Sequence, residues 1–201
     1  MFRNWFLVPA LLLCASNSFG NEVQDPDALK LDELVYLEQN WSEHDREWFY
    51  FADQGSRLMS YDIFINLEQA DNEKLLRDPL NLLGFGLLPA KASRSNPDGL
   101  PIGFTRADDT VGLTCAACHT QQIKYRGRYI RIDGGQAMFD LQKFLLAIEA
   151  SMEATLDDDQ KFKRFAERAL GAEPDAMVAQ ALRSRLESEY TIRKRNNRAN
   201  R

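Results

Sequence analysis

Cys115-Ala116-Ala117-Cys118-His119 is the feature that most restricts what this chain can become. Two cysteines separated by two small residues fall on one side of a helical turn, and the next residue offers an imidazole. This is the attachment pattern of a c-type haem: each sulfur bonds a vinyl group, and the histidine gives a ring nitrogen to the iron. Two other chemistries use the same residue types. A zinc site needs a second Cys/His pair, which the chain lacks. A thioredoxin-type dithiol needs a βαβ setting, and the flanks do not read that way. The preferred reading therefore has Cys115 and Cys118 as the two thioether positions of a covalently attached haem c, and His119 as the ligand of its iron.

The N-terminus points the same way. Arg3 gives a short positive start, residues 5–13 form an apolar stretch, and residues 15–20 are mostly small. The pattern predicts a secretory signal peptide over 1–20, cut after Gly20, and the apolar run is shorter than the ~20 residues of a membrane span. An uncleaved anchor is the alternative. Cys14 follows a bulky Leu13, unlike a lipoprotein site, so cleavage leaves Cys115 and Cys118 as the two remaining cysteines. In an oxidising compartment they would pair with each other unless haem captured them. The expected location is periplasmic or secreted, with no stable membrane span after cleavage.

The chain is 44% hydrophobic and 27% charged, which suits a soluble domain with a core. A net charge of -5 argues against nucleic acid as a partner. The stretch 183–201 is basic, which suits docking to an acidic redox partner in the cell envelope or to a membrane surface, but a solvated helix end is the preferred explanation.

Most of the chain reads as helix. Helices are expected over 27–39, from the cap Ser42 towards Gly55, and over 61–68, 138–152 and 157–170, with a last one from Pro174 towards Tyr190. Residues 75–88 read as a buried irregular connection, and 89–101, with the turn Asn96-Pro97-Asp98-Gly99, as an ordered loop beside the cofactor. Residues 123–132 have β character with a bend at Arg126-Gly127. The expected fold class is mainly α: a helical c-type cytochrome domain with a short β-hairpin or extended segment after the haem motif. A helical N-terminal region occupies 21–100 and a cytochrome c-like haem-binding region 101–201.

The sixth iron ligand decides between electron transfer and oxygen or peroxide chemistry. His44 sits on a polar helical start that reads as exposed. Among Met59, Met138, Met152 and Met177, position along the chain favours Met152 or Met177, yet methionine is a common core filler. Thr114 and Thr120 flank the motif and suit local hydrogen bonds. One of Arg126, Arg128 and Arg131 is expected to pair with a haem propionate, since the guanidinium fork matches a carboxylate.

Several stretches resemble the N-terminal region of rubber-oxygenase-like (RoxA-like) di-haem c-type cytochromes, relatives of the bacterial di-haem cytochrome c peroxidases. They are Tyr50-Phe51-Ala52-Asp53-Gln54-Gly55-Ser56-Arg57-Leu58 followed by Tyr61 and Phe64, Asn96-Pro97-Asp98-Gly99-Leu100-Pro101-Ile102-Gly103-Phe104, the haem motif with Thr114 and Thr120, Arg131-Ile132-Asp133-Gly134-Gly135, and Lys161-Phe162-Lys163-Arg164-Phe165-Ala166. The resemblance implies a mostly helical exported fold with two covalent haems, of which Cys115, Cys118 and His119 match the first. The chain has no second Cys-x-x-Cys-His, so the region matched is the N-terminal part alone. Two functions follow as expectations. One is an exported single-haem cytochrome acting in electron transfer. The other is the N-terminal part of a di-haem peroxidase or oxygenase. A disulfide module without haem is the third possibility.

Overall fold

The computed structural model describes residue 28 and residues 30–199. The expected signal peptide over 1–20 lies outside these residues. Six strands are present among them: β1 (Val35–Tyr36), β2 (Met59–Ser60), β3 (Phe104–Ala107), β4 (Thr110–Leu113), β5 (Thr120–Tyr125) and β6 (Arg128–Asp133). Six helices accompany them: α1 (Glu43–Phe51), α2 (Tyr61–Asn66), α3 (Pro79–Leu83), α4 (Leu141–Asp157), α5 (Asp159–Leu170) and α6 (Ala176–Ala199).

The fold is mixed α and β, which corrects the expectation of a mainly α cytochrome domain. Of the described residues 47% are helical and 15% lie in strands, arranged as two three-stranded sheets. In one sheet β6 is central, paired antiparallel with β5 and parallel with β1. In the other, β4 lies between β2 and β3, antiparallel to both. The haem motif connects the two sheets, between β4 and β5.

The correction has a physical cause at each point. Residues 27–39 were expected to be helical, but Val35 and Tyr36 suit a strand and pair with Ile130 and Arg131. The pairing gained across the sheet outweighs a weak helical pattern. The β3–β4 hairpin turns at Asp108, which has φ 51°. The bend expected at Arg126-Gly127 is a two-residue hairpin turn in which both residues have positive φ, the geometry that matches strand twist. Within 75–88, Asp78 caps the short α3 with Pro79 in its first turn.

Helix α1 begins as its sequence predicts, with Ser42 and Asp45 exchanging the reciprocal bonds of a capping box. Helices α4, α5 and α6 pack around Phe144, Ile148, Met152, Phe165, Leu182 and Leu186. Phe144 meets Phe64 and Phe104 edge-on, and those two rings stack at 5.4 Å between centroids. A buried carboxylate fixes α5 to the segment after α2. Glu68, 1% exposed, accepts from Lys161 (3.2 Å), Arg164 (2.8 Å) and Arg168 (2.9 Å). Burial opposes its charge, but these three donors prevail and hold the carboxyl down at about 2. A second, smaller apolar cluster joins Tyr50 and Phe51 of α1 to Ile102 and to Ala116 of the motif.

Candidate haem attachment site

The motif forms a tight 3-10 turn over Cys115–Ala117, capped by Thr114, whose hydroxyl oxygen accepts from the Ala116 amide (3.2 Å). The Cys118 and His119 amides both donate to Cys115 O, at 3.2 and 2.9 Å. Such a turn separates its side chains by face. Ala116 and Ala117 are buried, one in each apolar cluster. Cys115, Cys118 and His119 are exposed, and both thiols are free.

Four parts of the chain hold the backbone of this turn. Thr114 N–H donates to Gly103 O (2.8 Å), and Thr114 Oγ1 donates to Tyr50 O (3.1 Å). Gln54 Oε1 accepts from the Cys115 amide (2.9 Å). Beyond the hairpin, the Gly134 amide donates to His119 O and the Ala137 amide to Cys118 O, each at 2.9 Å. Gly103 touches the turn directly: a Cβ there would lie 2.3 Å from Ala117 Cα. Of the two flanking threonines, Thr114 makes the local bonds expected of it. The buried Thr120 Oγ1 has no hydrogen-bond partner among the described residues.

These residues fit a covalently attached haem. Two free thiols and an imidazole stand on the outer face of one anchored turn, and the alanines between them are packed inward. Among the described residues no three His, Cys, Asp or Glu side chains converge as a metal-ion site. A haem does not need such a cluster, because the porphyrin brings its own nitrogen ligands.

The candidate sixth ligands divide by burial. Met59 and Met152 are core residues, so Met152, one of the two favoured by position, is engaged in packing on α4. Met177, the other, is 82% exposed at the start of α6. Met138 is 77% exposed and follows Ala137, the residue bonded to the motif. His44 is exposed on the first turn of α1, as expected.

The three arginines also separate. Arg126 and Arg128 are exposed at the tip of the β5–β6 hairpin, whose opposite end pairs Thr120 with Asp133. Five strand steps put that tip about 17 Å from the motif end of the ladder. Arg131 is buried and bonded to Pro89 O (3.2 Å) and Gln122. Beside it Asp133, also buried, accepts from Arg46 Nε (2.8 Å) and from the Tyr50 hydroxyl. Burial, then the bond to Asp133, raises the Tyr50 phenol far above its ordinary value. Sequence reasoning passed over this network and the clamp around the motif. A signal for the network did exist, since Arg46 and Tyr50 are four apart on α1 and so share a face.

No protein-family model and no solved structure matches the chain. It is 35% identical over 188 residues to y4iJ, an uncharacterised protein of Sinorhizobium fredii, a match covering 81% of this chain and 31% of that protein. The chain therefore spans about a third of the length of the curated relative it matches.

Proposed function

We propose that this chain is an exported c-type cytochrome that attaches one haem through Cys115 and Cys118, takes His119 as the iron's proximal ligand, and passes electrons to a redox partner in the cell envelope. The observation that carries the reading is the motif turn: both thiols are free and exposed beside an exposed imidazole, on a backbone held by Gly103, Gln54, Gly134 and Ala137. Haem bound there supplies one-electron redox chemistry, or oxygen and peroxide chemistry where its sixth position is open. The chain's own part is to fix the two sulfurs and the imidazole in place. Among the described residues no helix is long and apolar enough to cross a membrane. The reading places the protein in the periplasm or outside the cell, on the strength of its N-terminal sequence pattern.

The test is to produce the chain with its own N-terminus in a host that attaches haem c. Covalent haem, retained in denaturant and giving a pyridine haemochrome spectrum, is the expected result. It should be lost in the Cys115→Ala/Cys118→Ala double variant. Wild-type protein with two titratable thiols and no haem would overturn the proposal.

The second reading is the N-terminal part of a di-haem peroxidase or oxygenase. It is favoured by the length of the S. fredii relative, about three times that of the stretch matched, and by the resemblance to di-haem cytochromes. Carbon monoxide separates the two readings. Reduced haem that binds it has an accessible sixth position and favours an enzyme; reduced haem that ignores it favours electron transfer.

A further inference from the structure

Beside α1 lies a cavity of about 340 Å³ whose lining includes none of Cys115, Cys118 and His119. Tyr50, Phe51 and Ile102 give it an apolar floor, and Tyr36, Leu34 and Ala90 line it too. Arg46 and Arg131 are also among its lining residues.

Arg131 is the unusual member. It is 1% exposed, and no ion pair is formed with it among the described residues. Its two terminal nitrogens are bonded to neutral oxygens, of Pro89 and Gln122. Its Nε–H has no hydrogen-bond partner among the described residues. The carboxylate on the same strand, Asp133, is already bonded to Arg46 and Tyr50. Among the described residues Arg131 therefore has no carboxylate bonded to it, although it is buried. A buried charge is costly unless it is paired, and a buried donor is costly unless it is bonded. One carboxylate in the cavity satisfies both needs.

The lining specifies the rest of the ligand. The apolar floor suits an aliphatic or aromatic body, and the volume is at the small end of ligand sites. Arg46 already stacks over the Tyr36 ring, 4.3 Å from its centroid. Glu43 and Glu47 line the same cavity, with Glu47 accepting from Ser93 Oγ (2.7 Å). Their charges repel any anion, and a dianion such as phosphate about twice as strongly as a monocarboxylate. We propose that the cavity between α1, β1 and β6 is a receptor for a small apolar carboxylate, seated on Arg131. That carboxylate could belong to a free acid or to a haem propionate. The shared chemistry is tested first, and the two sources are then separated.

Hexanoate is the probe, with hexanol and inorganic phosphate as controls, titrated by calorimetry into the full chain made with and without attached haem. Hexanoate should bind the haem-free chain at least tenfold more tightly than either control. Arg131→Lys should weaken it tenfold or more, because Lys cannot replace the guanidinium fork. Should Arg131→Lys unfold, Ala90→Phe fills the cavity while keeping the charge, and should abolish hexanoate binding with circular dichroism unchanged. Haem-loaded protein that no longer takes hexanoate identifies a propionate as the natural occupant; haem-loaded protein that still takes it identifies a free acid. Hexanoate that binds the haem-free chain no better than hexanol, or that survives both substitutions, overturns the proposal. The haem-free arm decides independently of whether the haem reading holds.

Discussion

Gly103→Ala should dislodge the haem motif without touching it chemically. Gly103 has φ 88°, and its α-carbon faces the Cys115–Ala117 turn. An added Cβ would stand 2.3 Å from both Ala117 Cα and Ala117 N, and 2.5 Å from Ala117 Cβ. Ordinary contacts between carbon atoms begin near ~3.5 Å, so backbone must part by about 1 Å. Two costs add. A left-handed conformation in an L-residue costs about 1–2 kcal/mol. Overpacking against backbone costs about 1–3 kcal/mol more. A loss of about 2–5 kcal/mol should lower Tm by roughly 10 °C in a chain of this size. Gly171→Ala is the control: it has φ 97° and nothing within 4 Å of the added carbon, so only the first cost applies. Its Tm should fall by roughly 4 °C. Thermal unfolding followed by circular dichroism gives the comparison. Hydrogen exchange gives the location, since the Thr114 and Ala117 amides, bonded to Gly103 O and Thr114 O, should exchange faster in Gly103→Ala alone. Equal Tm losses and equal exchange in the two variants would refute the contact on which the reasoning rests.

Glu68→Gln should lower stability by about 3 kcal/mol, because Lys161 is left buried without its counter-charge; a urea-unfolding midpoint no lower than wild type would contradict this. The Glu68 carboxyl is depressed to about 2 from 4.5. Its contribution is therefore present above pH 4.5 and lost as pH falls from there to about 2, a loss on the order of 3 kcal/mol that Glu68→Gln should not show. The raised Tyr50 phenol gives the opposite sign: native protein keeps the proton while unfolded chains lose it, so stability should fall as pH rises above about 10. Tyr50→Phe should remove that alkaline decline and cost about 1 kcal/mol at neutral pH, measured by urea unfolding. His119→Ala in haem-loaded protein should keep the thioether bonds, because both sulfurs remain, and should change the reduced absorption spectrum; an unchanged spectrum would remove His119 as a ligand.

What was legible in the sequence was local. The capping box at Ser42 and Asp45, the Gly171 stop after α5 and the Arg126-Gly127 hairpin turn each depend on residues within a few positions of one another. The haem motif is of the same kind, since a turn of adjacent residues sets its faces. The illegible parts depend on distant partners. Val35 carries no sign that it will pair with Ile130, and a two-residue strand has no period to detect. The β3–β4 hairpin was absorbed into an expected helical domain, although Thr105, Thr110 and Val111 are β-branched. Met152 shows the same limit at the site: sequence position made it a candidate ligand, and the packing of α4 made it core. Arg131 could be recognised as a carboxylate partner in sequence, but its orphan Nε–H and its cavity emerge only once β6 is flanked by β1 and β5.

The parallel ladder between β1 and β6 has a consequence in time. It joins Val35 to Ile130, so the whole stretch that includes Cys115 and Cys118 is one loop until that pairing closes. Contacts so far apart in sequence form after local ones, because the entropy of closing the loop must be met first. The two thiols can then be presented on a chain whose hairpins and helices exist but whose first sheet is still open. Both sulfurs stay exposed after the sheet has closed, so a machinery that must reach the two at once is not confined to that interval.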